Sequence, residues 1–290
     1  MKTRLLFLLF AVSIFCSCEK NIDIDLNTAT PKLVVEATIE TGKPPIVVLS
    51  NSLNYYSVVS SQILEGTFVH GAEVSITENN NVYLLREYTI DSNGVKLSFY
   101  SSDITDMLLG KLNTDYSLLI KTNGNEYTAT TTIPNLTKKI DSLSSRPVYE
   151  SADSTKVQVY VTATDPRGLG DYIRYYTSTN NDVFFPPYNS VFDDAIIDGT
   201  TYTVPIQKGV NKNMEWTEDD LFFHKGDSII MKTCNINKAT FDFCRTYEFA
   251  LQSTGNPFSN PTKVIGNISN GALGYFGGYA PQYTTVVVPE

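Results

Sequence analysis

Histidine, tryptophan and cysteine are scarce in this chain of 290 residues, which has two His, one Trp and four Cys. A Ser-His-Asp triad would need His70 or His224 beside a strained serine, and no such serine is visible. The sequence also lacks a Gly-x-Ser-x-Gly elbow, a His-Glu-x-x-His motif, a Walker loop and a dinucleotide fingerprint. We therefore predict a non-enzymatic protein with no cofactor, and we interpret both histidines as surface or turn residues.

Basic residues are too few to balance the acidic ones, since 22 Lys and Arg face 31 Asp and Glu for a net charge of −9. Nucleic-acid binding needs clustered Lys and Arg to neutralise phosphates, so we expect no nucleic-acid partner. An acidic chain is likewise not attracted to anionic lipid. Any attachment to a membrane must therefore come from a dedicated anchor.

Long apolar runs are missing except at the start of the chain. Residues 5–15 are apolar apart from Ser13, and they follow the basic residues Lys2 and Arg4. A short basic end followed by such a run is typical of a secretory signal, and the run is too short to span a membrane as a helix.

The apolar run ends at a cysteine rather than at an ordinary cleavage site. Ser17-Cys18 resembles the end of a bacterial lipobox, although Phe15 and Cys16 depart from its usual residues. We predict a signal peptide over 1–17 and lipidation of Cys18, because the bulky Phe15 disfavours Cys16. Two acyl chains give stable anchoring, so we expect a lipid-anchored protein of the outer membrane. The alternative is an ordinary cysteine near an ordinary cleavage site.

Strand-forming residues are abundant, with 18 Tyr and 15 Phe. Alternating apolar and polar residues predict a mainly β fold. We expect a tether over 18–31, an immunoglobulin-like β-sandwich over 32–134, a linker over 135–147 and a second β-rich domain over 148–290. A helix is predicted over about 238–253 within the second domain.

Several local signals support this outline. Asn123-Gly124 predicts a hairpin turn, and Asn79-Asn80-Asn81 predicts another turn. Tyr116 after Asn113 suggests a tyrosine corner. In the predicted helix Asn237 is a suitable N-cap, and the expected buried face comprises Phe243, Tyr247, Ala250 and Leu251.

Two groups of residues are candidates for contact or cross-linking. Cys234 and Cys244 form a disulfide in one interpretation and remain two buried thiols in the other. Aromatic residues in Gly- and Pro-containing segments could stack on a glycan or small ligand, or dock a partner; the alternative is packing at the ends of the sandwich. These aromatic candidates are Phe184, Phe185, Tyr188, Tyr275, Phe276 and Tyr279.

Acidic residues are densest at Asp193, Asp194 and Asp198, whose oxygens are a weak candidate for binding Ca²⁺. The pattern of a calcium loop is missing, so a solvated acidic loop is the alternative and no metal is expected. Paired carboxylates elsewhere could support a hydrolase, and no sequence signal selects such a pair.

Two blocks of the sequence resemble a known family. One is Cys18-Glu-Lys-Asn-Ile-Asp-Ile-Asp-Leu26 with Pro31-Lys-Leu-Val-Val-Glu36, and the other runs from Gly255-Asn-Pro-Phe to Gly274-Tyr-Phe-Gly-Gly-Tyr279. They are similar to a Bacteroidota lipoprotein family catalogued as domain of unknown function 4249. The resemblance implies an envelope lipoprotein, often encoded beside TonB-dependent receptors, with Cys18 as its only transferable functional residue.

The leading hypothesis is a non-enzymatic, outer-membrane-anchored accessory or ligand-binding partner of a TonB-dependent transporter. A glycan-binding or adhesion protein of the cell surface is the second hypothesis, and a carboxylate-dependent hydrolase is the third. Residues 19–23 mix acidic and basic side chains, so the sequence leaves both the surface face and the periplasmic face open.

Overall fold

Strands dominate the computed structural model of the chain, which confirms the mainly β prediction. It describes residues 30–53, 57, 59–92, 94–149, 151–215, 217–254, 256, 258 and 262–290. The predicted signal peptide over 1–17, Cys18 and nearly all of the predicted tether lie outside the described residues.

The strands and helices are bounded as follows. The first seven strands are β1 Leu33–Glu40, β2 Ile46–Asn51, β3 Glu73–Glu78, β4 Asn81–Ser92, β5 Val95–Ser102, β6 Thr114–Thr122 and β7 Asn125–Ile133. The others are β8 Lys139–Pro147, β9 Lys156–Thr164, β10 Tyr172–Thr179, β11 Val191–Asp193, β12 Thr201–Ile206, β13 Phe223–His224, β14 Ser228–Ile236 and β15 Leu273–Val287. The helices are α1 Ser61–Glu65, α2 Lys238–Ser253 and a 3₁₀ turn at Glu218–Leu221.

Two sheets organise the described residues. The larger has eleven strands in the order β11-β10-β14-β15-β1-β2-β5-β4-β3-β6-β7, and the smaller has the order β12-β9-β13, with β8 also pairing to β9. β7 lies against β15, and the two backbones are in close contact. A Cβ added to Gly278 would sit only 2.4 Å from the Thr132 carbonyl oxygen. The larger sheet therefore curls around the apolar core that β1 to β7 share with Phe276 and Ala280.

β15 joins the two halves of the larger sheet. Its first part pairs in parallel with β1 from Val34↔Leu273 to Glu40↔Tyr279, and its second part pairs antiparallel with β14 from Ile236↔Tyr279 to Ser228↔Val287. Tyr279 is the residue at which the partner strand changes. The last strand in the sequence thus connects the first strand to the strands of the second half.

Glycine makes the parallel pairing of β15 with β1 sterically possible. Gly274 has φ +97°, and a Cβ there would lie 1.9 Å from the Val35 carbonyl oxygen. That φ is in the region that glycine adopts without steric cost, and the contact distance leaves no room for any side chain. Glycine at position 274 therefore allows the backbones of β15 and β1 to pack together.

The predicted linker over 135–147 is wrong for most of its length. Residues 139–147 form β8, which pairs with β9 from Lys139↔Thr164 to Pro147↔Val157. The described residues from Pro31 onward form one compact unit. Pro and Ser in this stretch favour a loop, but β8 is a strand with a single partner, where such residues cost little. The immunoglobulin-like arrangement within 32–134 stays a prediction.

The turn predictions are confirmed. Asn123 and Gly124 have φ 49° and 73° in the turn from β6 to β7, and Asn79 and Asn80 have φ 47° and 69° in the turn from β3 to β4. Both turns have two residues with positive φ, which is the conformation that Asn and Gly favour.

Tyr116 also has the geometry of a tyrosine corner. Its buried hydroxyl accepts a hydrogen bond from the Lys111 backbone N–H (2.8 Å) and donates to Glu78 Oε1 (3.1 Å). The bond to the backbone five residues earlier in the chain fixes the start of β6.

Helix α2 has the predicted bounds, and the Asn237 side chain accepts a hydrogen bond from the Thr240 N–H (2.9 Å) as its N-cap. The predicted buried face is wrong. Thr240, Phe241, Cys244 and Glu248 are the buried residues. Helical spacing predicted an apolar buried face. The buried face instead includes Glu248, whose burial is stabilised by hydrogen bonds from Ser190. Among the described residues no helix is long and apolar enough to cross a membrane.

Replacing Gly274 with alanine tests whether the backbone of β15 needs this close approach. We expect Gly274→Ala to lower the free energy of unfolding by about 2–5 kcal/mol, because it adds both steric overlap with Val35 and an unfavourable φ. Gly124→Ala is the matched control, since Gly124 also has positive φ and no atom lies within 4 Å of its Cβ position. Urea denaturation measures both. An equal loss in the two variants would contradict the account.

Candidate functional site

An apolar cleft of about 810 Å³ lies between the smaller sheet and the β11-β10-β14 end of the larger one. β9 and β12 supply one wall, and β10, β11 and β14 supply the other, while Phe241 and Arg245 of α2 close one side. The volume lies in the range of about 300–1,000 Å³ that is usual for small-molecule sites.

The interior of the cleft is built from buried side chains of both sheets. Val161 of β9, Tyr175 of β10, Ile206 of β12 and Met231 of β14 belong to one apolar core and also line the cleft. Alternation along β9 buries Val157, Val159, Val161 and Ala163, and so directs them to this side. Burial raises the pKa of Tyr175 to about 12, so its hydroxyl is neutral at neutral pH.

The mouth of the cleft exposes apolar side chains. Ile196 is 95% exposed and Val204 is 39% exposed, and both line the cleft. Polar residues also line the cleft, and one of them is already engaged, since Gln158 Nε2 donates to the Ile206 carbonyl oxygen (2.7 Å). The guanidinium of Arg245 lies at the side, 3.8 Å from Asp242 Oδ1. The cleft therefore suits an apolar molecule or one with a single polar end.

A buried polar network holds Ser190, the residue just before β11, in place. Glu248 of α2 accepts hydrogen bonds from the Ser190 N–H (3.0 Å) and the Ser190 hydroxyl. Arg174 donates to Ser190 Oγ (3.3 Å) and to the Tyr279 hydroxyl (3.0 Å). This network links α2, β10 and β15 directly behind the cleft. The sequence does not predict this network, because nothing in it separates a buried helical glutamate from a solvated one.

Three of the six aromatic candidates are not surface residues. Tyr275, Phe276 and Tyr279 are buried in β15, and the Tyr275 and Tyr279 hydroxyls lie 3.0 Å apart. The flanking glycines suggested a flexible loop, but they permit close strand packing. Interpreting these three residues as ligand contacts was therefore wrong, and the alternative of aromatic packing describes them.

The other three aromatic candidates are partly accessible. Phe184 packs edge-on against Tyr283 with ring centroids 5.9 Å apart. The Phe185 backbone pairs with Thr177, and its side chain lines a smaller pocket of about 470 Å³. Tyr188 lies beneath Lys212, whose Nζ is 5.4 Å from the ring centroid. They do not line the large cleft.

The two cysteines are buried free thiols, Cys234 in β14 and Cys244 in α2. The two thiols are not bonded to each other, which is the second of the two predicted alternatives. Burial raises the pKa of both thiols, that of Cys234 to about 12. Neither thiol ionises at neutral pH, so both are chemically unreactive there.

The acidic candidates separate in the structure. Asp193 lines the cleft, and its carboxylate accepts a long hydrogen bond from the Ala195 N–H (3.4 Å). Asp194 and Asp198 instead meet Asp165, and the oxygens of these three carboxylates lie within 4.8 Å of one another. Asp165 was missed because it lies 29 residues before Asp194.

The two histidines are placed as expected at or near the surface. His70 is exposed and its Nδ1 is hydrogen-bonded to Glu87, while His224 is half-buried with Nε2 3.6 Å from Asp219 Oδ2. His70 lies in the segment before β3 and His224 lies in β13, and neither lines the large cleft.

The fold and cleft define a mainly β protein with a ligand-sized space at one end of its larger sheet. The family model described as "Domain of unknown function (DUF4249)" matches residues 19–285, so the chain belongs to this family. A search of curated proteins finds no match. Membership confirms the resemblance seen in the two sequence blocks, and it names no activity.

Proposed function

We propose that this chain is a non-enzymatic lipoprotein of the outer membrane that binds an apolar or amphipathic ligand in its cleft and assists a TonB-dependent outer-membrane transporter. The cleft is the observation that supports ligand binding. Its volume of about 810 Å³, its apolar lining and its exposed apolar mouth are features of a binding site for small molecules.

The anchor and the partner are supported from the sequence. Cys18 follows a secretory run and ends a lipobox-like segment, and residues 19–29 then separate the lipid from the first described residue. The family resemblance implies a gene that is often found beside those of TonB-dependent receptors. A lipid anchor would hold the cleft at the membrane in which such a transporter lies, so a captured ligand would stay close to its entry route.

Binding of an apolar fluorescent probe tests the cleft. We expect anilinonaphthalene sulfonate to bind the detergent-solubilised chain saturably at one site. Ile196→Ser with Val204→Ser should weaken binding by about tenfold or more, because the probe loses apolar contact worth about 1.4 kcal/mol. A fluorescence titration measures the dissociation constant.

The control for this titration is Val82→Ser on β4, whose side chain is also exposed but lies outside the cleft. Val82→Ser should leave the dissociation constant unchanged. Ligand binding in the cleft would be refuted if the double variant bound the probe as tightly as the original chain does.

Changing Cys18 tests the anchor and the partner in one experiment. A tagged original chain should fractionate with the outer membrane and enrich a TonB-dependent transporter after detergent solubilisation and affinity purification. Cys18→Ala should remain unprocessed or soluble and lose that enrichment, because it cannot receive the acyl chains. Membrane fractionation and mass spectrometry measure both properties. Normal processing of Cys18→Ala would contradict the anchor, and an original chain that never enriches a transporter would contradict the partner.

A further inference from the structure

Three carboxylates converge beside the cleft, from the segment after β9 and the segment after β11. The oxygens of Asp165, Asp194 and Asp198 lie within 4.8 Å of one another. Asp165 is 2% exposed and Asp194 is 3% exposed, whereas Asp198 is open to solvent. Burying carboxylates at this spacing is costly unless positive charge compensates them.

Lys138 supplies part of that compensation. Its Nζ lies 2.9 Å from Asp165 Oδ1, and both side chains are buried. Asp165 Oδ2, however, makes neither a hydrogen bond nor an ion pair within the described parts of the chain. The Lys138 ammonium is paired with Asp165 alone, so a buried oxygen of this carboxylate has no partner within the described residues.

A fourth carboxylate adds to the negative charge. The Asp171 carboxylate accepts a hydrogen bond from the Thr137 hydroxyl (2.7 Å), and the Asp171 N–H donates to Asp194 Oδ2 (3.0 Å). The excess of negative charge thus extends beyond the three converging side chains.

Backbone groups hold two of the carboxylates, Asp194 and Asp198, by one oxygen each. The Gly168 N–H donates to Asp198 Oδ1 (2.6 Å), and the N–H groups of Gly170 and Asp171 donate to Asp194 Oδ2 (2.8 Å and 3.0 Å). Gly168 and Gly170 have φ +122° and +124°, a region that only glycine adopts readily. The second oxygen of Asp194 and of Asp198 has no hydrogen bond among the described residues, so it is available as a ligand.

We infer that Asp165, Asp194 and Asp198 form a Ca²⁺ site, with one oxygen from each carboxylate as ligand. Ca²⁺ binds oxygens at about 2.3–2.6 Å, so two ligands of one ion lie at most about 5 Å apart, in agreement with the observed group. Ca²⁺ also accepts irregular geometry and backbone carbonyl or water oxygens in its other positions. Mg²⁺ requires a near-octahedral set and fits a loop-built site less well.

The site is continuous with the cleft. Ile196 and Ile197, which line the cleft, lie between Asp194 and Asp198 in the sequence. A bound ion would therefore fix this part of the cleft wall. The effect on ligand binding rests on the proposed function, whereas binding of the ion does not.

Calorimetric titration of the metal-free, detergent-solubilised chain with CaCl2 tests the inference. We expect one Ca²⁺ per chain with a dissociation constant of about 10⁻⁴–10⁻³ M, the range of Ca²⁺ sites in extracellular modules. Ca²⁺ at tenfold this constant should raise the melting temperature by about 3 °C. The same concentration of MgCl2 should have a smaller effect.

Conservative variants show where the ion binds. Asp194→Asn and Asp198→Asn should each weaken Ca²⁺ binding by tenfold or more, and Asp198 is exposed, so its variant should fold even if the other does not. Asp153→Asn is the matched control, because Asp153 belongs to a different acidic group with Asp219 and His224. It should bind Ca²⁺ as the original chain does.

Three results would overturn the inference. They are the lack of a saturable heat signal with CaCl2, an equal effect of MgCl2 on melting, and unchanged Ca²⁺ affinity in Asp198→Asn. None of them bears on probe binding in the cleft, so failure of the ion site and failure of the proposed function can be told apart.

Discussion

The pairing of β15 with two different strands is the constraint on which the rest of the structure depends. β1 begins the described chain and β14 belongs to its second half, and β15 pairs with both through residues on either side of Tyr279. The parallel half needs the backbones to approach at Gly274, where no side chain fits. Phe276 of β15 belongs to the core that includes β7, whereas Tyr275 and Tyr279 are buried in a cluster with Phe241 and Phe243 of α2. Both apolar cores on either side of this strand therefore depend on its register.

The cleft follows from the same arrangement. The larger sheet extends past β15 through β14 and β10 to the short β11, and the smaller sheet faces that end. α2 covers one side and is tied down by Glu248, Ser190 and Arg174. The space between the sheets is thus framed mainly by strands and by one side of α2, with the Glu248–Ser190–Arg174 network behind it.

Local signals predicted much of the fold. Period-two alternation located most strands, Asn-rich turns located two hairpins, and the Asn237 N-cap located the start of α2, because each depends on neighbouring residues alone. Long-range pairing could not be predicted. The strand nature of 139–147, the burial of Tyr275 and the buried face of α2 all depend on partners distant in the sequence. The cleft was missed for the same reason, and Asp165 joins Asp194 only because the fold brings β9 and β11 together.

The central claim is that β15 makes the described chain one cooperative unit. Native-state hydrogen exchange in low urea tests it directly, by comparing the amides of β1 with those of β14. The account predicts that the slowest amides of both strands exchange through one opening with the same free energy and the same urea dependence. If β14 opened at a clearly lower free energy while β1 stayed protected, the two halves would unfold independently, and the claim would be contradicted.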